Sequence, residues 1–267
     1  MLKTLFKLIL KFLPESMRQR VLEEAGASLS SKALGESMQR LALRHSESIP
    51  ADQALGFLFR LDNHLYSLQG RHSIRYNDGV HTKHLHTGYH DFFINRVKAG
   101  ERVLDVGCGT GMLAFDLADK AGGLVLGIDL EEKNITIAKK RFCHANVEFV
   151  VGDIMQYSDN RPFDIVILSN VLEHLTNRAG FLRQLAQITK SYRFLIRVPL
   201  FERDWRIPLK KELAVEWRLD PTHETEYSQE SFAQEIDEAG LKITHQEIRW
   251  GEIWAYVVLP KATTDTV

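Results

Sequence analysis

The stretch Arg102-Val-Leu-Asp-Val-Gly-Cys-Gly-Thr-Gly111 decides how this chain is read. An apolar run (Val103, Leu104, Val106) ends in glycines at every second position, Gly107, Gly109 and Gly111, and Met112 to Lys120 continues as a helix pattern. Together they predict a buried parallel strand, a tight turn and a helix N-terminus. Glycine in such a turn can take positive φ and leaves bare main chain for a ligand to approach. Leu124-Val-Leu-Gly-Ile128 reads as a second buried strand and ends in Asp129. An acid at that tip is placed to accept hydrogen bonds from both ribose hydroxyls of an adenosine-type ligand.

The glycine spacing narrows the ligand. A dinucleotide fold would show G-x-G-x-x-G, with a pyrophosphate on the helix N-terminus. Here the spacing is G-x-G-x-G, and an acid, Asp105, lies inside the strand. A buried carboxylate repels a pyrophosphate but suits a ligand that carries an ammonium and a sulfonium. Val103 to Gly111 resembles the first motif of the class I S-adenosylmethionine-dependent methyltransferases. The resemblance implies an α/β fold: a seven-stranded Rossmann-like sheet with helices on both faces and a terminal antiparallel hairpin. It also implies S-adenosylmethionine as cofactor, bound through Asp105, Gly107, Gly109, Gly111, Asp129 and Leu130.

The resemblance continues along the chain. Val147–Val151 reads as a third strand leading into Gly152-Asp153-Ile154. In the family an acid here meets the adenine amine and the next apolar side chain packs on the ring, roles that fall to Asp153 and Ile154. Capping of the following turn is the alternative for Asp153. The fourth strand, Phe163–Leu168, runs into Ser169-Asn-Val-Leu-Glu-His-Leu175, similar to the family's fourth motif. That motif faces the methionine half of the cofactor, which makes Asn170 a contact. Glu173 and His174 follow as candidate bases, with a structural role for His174 as the alternative. Helix Arg178–Thr189 and strand Tyr192–Val198 come next, and a hairpin at Gly251 joins strands Leu241–Trp250 and Glu252–Leu259.

Composition sets outer limits. The 267 residues, 44% hydrophobic and 26% charged, fit one α/β domain with an extension. A net charge of −1 supplies no field for a nucleic-acid backbone, so no nucleic-acid partner is expected. Two cysteines, Cys108 and Cys143, cannot form a disulfide framework, and a cytoplasmic protein is expected. The domain reading is a helical extension over 1–90 and a methyltransferase domain over 91–262, with an irregular insert over 199–227.

Residues 1–13 are amphipathic: Leu2, Leu5, Phe6, Ile9, Phe12 and Leu13 share one helical face, and Lys3, Lys7 and Lys11 the other. Such a segment lies on an anionic membrane surface, here the inner face, or docks on protein. Polar breaks near Ser28–Ser31 and Ser46–Pro50 divide the helical stretch that follows.

Five histidines fall in 71–93. The spacing of His81, His84 and His86 fits no single helix face, and no metal site is expected there. Lys83-His-Leu-His-Thr-Gly-Tyr-His-Asp-Phe-Phe93 resembles the segment before the core in bacterial methyltransferases associated with surface-polysaccharide genes. That resemblance places Tyr89 over the cofactor, or at its mouth, with Lys83 and His84 near the acceptor. A satisfied core aromatic with solvated histidines is the alternative. In the insert, Asp220-Pro-Thr-His-Glu-Thr-Glu-Tyr227 makes His223 the candidate catalytic or acceptor-binding histidine.

The resulting expectation is methylation, at oxygen, of a small-molecule or carbohydrate-type acceptor. A polyprenylated quinone precursor is the alternative acceptor. A methyltransferase-like binding module without catalysis, and a nicotinamide oxidoreductase, are the competing classes.

Overall fold

A computed structural model describes residues 14–260. The amphipathic segment 1–13 lies outside the described residues. The chain divides into two compact units, residues up to His64 and residues from Leu65 onward. The second unit therefore includes residues 65–90, which the sequence reading placed in the extension.

Helices α1 (Glu15–Ala27), α2 (Ser31–Ser46) and α3 (Ala51–Tyr76) break at the two polar stretches. At the first break the Ser30 hydroxyl caps α2 by accepting the Ala33 amide. Neither α1 nor α2 buries a residue. Among the described residues no helix is long and apolar enough to cross a membrane.

Two short helices, α4 (Lys83–Thr87) and α5 (Tyr89–Ile94), precede the sheet. Its parallel strands are β1 (Arg102–Val106), β2 (Leu124–Asp129), β3 (Val147–Val151), β4 (Ile165–Ser169) and β5 (Arg193–Pro199). Between them run α6 (Met112–Ala121), α7 (Glu132–Arg141) and α8 (Arg178–Thr189). After β5 come α9 (Arg206–Glu212) and α10 (Gln229–Glu238). Strands β6 (Lys242–Arg249) and β7 (Glu252–Val258) close the sheet antiparallel, in the order β3-β2-β1-β4-β5-β7-β6. All seven expected strands are present, and helices cover both faces.

Alternation along the strands separates two cores. Leu104, Val106 and Leu168 face Leu182 and Leu185 of α8 and Phe232 and Ile236 of α10. Val103, Ile165 and Ile167 face Leu113 and Leu117 of α6 and Phe92 and Phe93 of α5. The strand order reverses between β1 and β4, where a crevice opens at the carboxyl ends.

Two details differ from the sequence expectation. The helix expected over Glu131–Ala145 stops at Arg141: Phe142 turns extended and stacks on Phe115 at 4.9 Å, which brings the chain back to β3. The insert over 199–227 also has regular structure, a 3₁₀ turn at Phe201–Arg203 and α9.

Gly111 is fixed by packing as well as conformation. Its φ is +83°, and an added Cβ would lie 2.6 Å from the Phe149 ring and 2.8 Å from Ala138 Cβ. Gly111→Ala should therefore cost about 2–4 kcal/mol, from the left-handed backbone and overpacking together. Urea unfolding measures this, and an unchanged midpoint would contradict the packing described.

Candidate functional site

The crevice holds a cavity of about 600 Å³. Its floor is the glycine turn between β1 and α6. Gly109, at φ +55°, has open space where a Cβ would stand, whereas a Cβ on Gly107 would meet Val171 at 2.9 Å. Asp105, the next-to-last residue of β1, is 2% exposed and its Oδ2 has no hydrogen-bond partner among the described residues. Burial, and then the charge of Asp129, push its carboxyl up to about 7. Asn170, after β4, sits at φ +59° with its buried Oδ1 also unpartnered.

One wall comes from the segment before the sheet. The Tyr89 hydroxyl lies 2.7 Å from His84 Nδ1. Burial pushes His84 down to about 4, so its imidazole is neutral here. Lys83 also lines the cavity, its ammonium pKa lowered by burial and then by Arg197.

Arg197 and Glu252 stand between that wall and the sheet. The guanidinium donates to both Glu252 oxygens at 2.6 and 2.5 Å, and Trp254 Nε1 donates to the same carboxylate at 2.9 Å. The Arg197 guanidinium carbon lies 3.9 Å from the centre of the Tyr89 ring. Neither Arg197 nor Glu252 was among the candidates. The available signal was a charge inside an apolar strand, Phe194-Leu-Ile-Arg-Val198.

The opposite wall joins the turn after β4 to the insert. Glu173 is completely buried and, among the described residues, neither carboxylate oxygen has a hydrogen-bond partner. Burial pushes its carboxyl up to about 7. The Glu173 carbonyl accepts the Glu224 amide at 2.8 Å, which pins the insert here. His174 and His223 meet edge to face with ring centres 4.7 Å apart. Glu226 Oε1 lies 3.1 Å from His223 Nδ1, and Arg203 pairs with the same carboxylate. Thr222 Oγ1 lies 3.1 Å from His174 Nδ1 and 2.8 Å from Asp220 Oδ1.

Seven of the twelve candidate residues thus line one cavity: Tyr89, Asp105, Gly107, Gly109, Asn170, His174 and His223. The other five lie outside that lining. Gly111 packs against Phe149, and Leu130 is 72% exposed. The Asp129 carboxylate accepts from the Gly109 amide at 2.8 Å, the Glu131 amide at 2.9 Å and Asn134 Nδ2 at 3.2 Å. Asp153 caps its own turn through the Met155 amide at 2.9 Å, and Ile154 is buried in the core.

Residues 103–191 match the family model described as a methyltransferase domain. Ubiquinone biosynthesis O-methyltransferase of Bradyrhizobium diazoefficiens is 30% identical over 131 residues, which are 47% of this chain and 51% of that protein. The protein of the same name from Rhodopseudomonas palustris strain BisB5 is 27% identical over 156 residues, 55% and 61% of the two chains. The chain thus spans about half the length of the curated relatives it matches. A similar fold occurs in a methyltransferase complex with the Haloferax volcanii Trm112 methyltransferase activator. The TM-score is 0.56, at 19% identity, over 69% of this chain and 93% of that one. Magnesium protoporphyrin IX methyltransferase from Synechocystis, solved with bound S-adenosylmethionine, gives a TM-score of 0.50 at 19% identity, over 66% and 80%. The strand order ends in an antiparallel hairpin and the segment from the glycine turn to the end of α8 matches a methyltransferase domain, so the fold is that of the class I S-adenosylmethionine-dependent methyltransferases.

Proposed function

We propose that this chain transfers a methyl group from S-adenosylmethionine to an acceptor oxygen in the cavity at the end of β1 and β4. The buried Asp105 Oδ2, without a hydrogen-bond partner among the described residues, carries the reading. A buried carboxylate without a partner is costly, and a cationic, hydrogen-bond-donating ligand relieves that cost. The cofactor fits this need, because its ammonium and sulfonium are cationic and the open face of Gly109 leaves room for it.

When bound, the cofactor supplies a methyl group activated by a sulfonium that leaves as a neutral thioether. The chain's own residues have to align, exclude water and handle a proton. Asp105 holds the cationic end, and the glycine turn supplies main-chain contacts. Asp129 retains acceptor capacity for ribose hydroxyls beyond its bonds to the glycine turn and to α7. Asn170 faces the methionine half, and Tyr89, held by His84 and Arg197, covers the mouth. His174 and His223 are the imidazoles placed to take a proton from an acceptor hydroxyl, a contribution of about 10²–10⁴-fold.

A polyprenylated quinone precursor is the acceptor we favour over a carbohydrate, since the relatives reported above carry the name ubiquinone biosynthesis O-methyltransferase. Assay with radiolabelled cofactor should label a polyprenylated phenol in detergent micelles and leave glycans unlabelled. Labelling of glycans alone would reverse the choice. Cofactor binding with no turnover on either would favour a binding module.

The raised Asp105 pKa gives a pH signature. The carboxylate that binds a cation is ionised above about 7, so affinity is retained above that pH and lost below it. The titratable groups coupled to it are Asp129, Cys108 and Tyr89. Burial raises the last two, so both keep their protons at neutral pH. Calorimetry should show cofactor affinity falling about ten- to thirtyfold between pH 7.5 and 5.5. Asp105→Asn should bind weakly and without that slope. A flat wild-type profile would remove Asp105 from the ligand site.

A further inference from the structure

We infer that Glu173, His174 and His223 form a binding site for a divalent transition-metal ion of the zinc class. Each residue can offer one ligand atom, and those atoms lie within 4.8 Å of one another. One carboxylate and two imidazoles is a donor set that suits zinc, and it is the three-ligand pattern that leaves a fourth position open. Tetrahedral zinc at about 2.1 Å brings its donors to roughly 3.4 Å, so the set closes by at most about 1.4 Å on binding.

Two further observations are independent of that proximity. Both Glu173 oxygens are buried without a hydrogen-bond partner, which is costly for a carboxylate unless a cation compensates it. Second, both imidazoles are held through Nδ1. His223 Nδ1–H donates to Glu226 Oε1 at 3.1 Å, and Arg203 pairs with that carboxylate. Thr222 gives its hydroxyl proton to Asp220, so its oxygen accepts from His174 Nδ1–H at 3.1 Å. That arrangement leaves an Nε2 lone pair on each ring. An outer carboxylate or oxygen on the far nitrogen is how metal-binding histidines are generally fixed.

His174 and His223 line the cavity, and His174 is exposed at its edge. The open position therefore faces the acceptor space. On the methyltransferase reading above, on which this consequence rests, an acceptor hydroxyl bound there would ionise more easily and release its proton to solvent. His174 and His223 would then be ligands, and neither would be needed as a base.

The test uses the full chain stripped with a chelator and titrated with Zn²⁺ against a chromophoric competitor. One equivalent should bind tightly. Glu173→Gln and His174→Gln should each weaken binding by at least tenfold, and Glu226→Gln by about 10–100-fold through the lost support of His223. His174 is exposed, so His174→Gln serves as the variant least prone to misfolding. Co²⁺ in place of Zn²⁺ should give the visible absorption of a tetrahedral nitrogen–oxygen site. No stoichiometric Zn²⁺ in the wild type, or unchanged affinity in both Glu173→Gln and His174→Gln, overturns the site. Calorimetry with S-adenosylmethionine on the same samples separates the two claims: cofactor binding without Zn²⁺ sinks only the metal, and Zn²⁺ binding without cofactor sinks only the cofactor reading.

Discussion

A carboxylate at the end of the central strand, with one oxygen facing neither water nor a hydrogen bond, is the constraint on which the rest of the site depends. Asp105 is held there because Val103, Leu104 and Val106 are buried on both faces of the sheet around it. An unpaired buried charge costs free energy that folding alone does not return. The strain is resolved by protonation, toward which its raised pKa points, or by a cationic ligand. The glycine turn beside it leaves space for the second outcome. Gly107 and Gly111 admit no Cβ, so the turn packs against Val171 and Phe149, and Gly109 stays open toward the cavity.

Around that floor the walls are assembled from distant segments tied by buried ion pairs. Arg197 on β5 and Glu252 on β7 form a two-pronged pair that also supports Tyr89 from α5. Removing one partner of such a pair typically costs about 3–5 kcal/mol, because the other is left charged and buried. Arg203 and Glu226 do the same within the insert and hold His223 in place. The rim is therefore set by charge pairing, and the floor by glycine packing.

This difference explains what the sequence made legible. Strand–turn–helix patterns are local, so the seven strands, the glycine turn and the terminal hairpin could be read from apolar runs and glycine spacing. Asp105, Gly107, Gly109 and Asn170 sit at strand ends, where position along the chain dictates position in the fold. Arg197 and Glu252 were missed because only β5–β7 pairing brings them together. The set of Glu173, His174 and His223 spans about fifty residues, and its ligand spacing has no local form. Asp129 ends β2 and Asp153 follows β3, as their spacing implies, but their carboxylates are engaged by nearby backbone amides, which spacing does not reveal.

The most direct test of the account is calorimetric titration of the purified chain with S-adenosylmethionine and, separately, with NAD⁺. The Asp105 carboxylate beside a G-x-G-x-G turn predicts saturable binding of S-adenosylmethionine and none of NAD⁺. Binding of NAD⁺ alone would contradict it, because a pyrophosphate would then be accommodated where an uncompensated carboxylate stands.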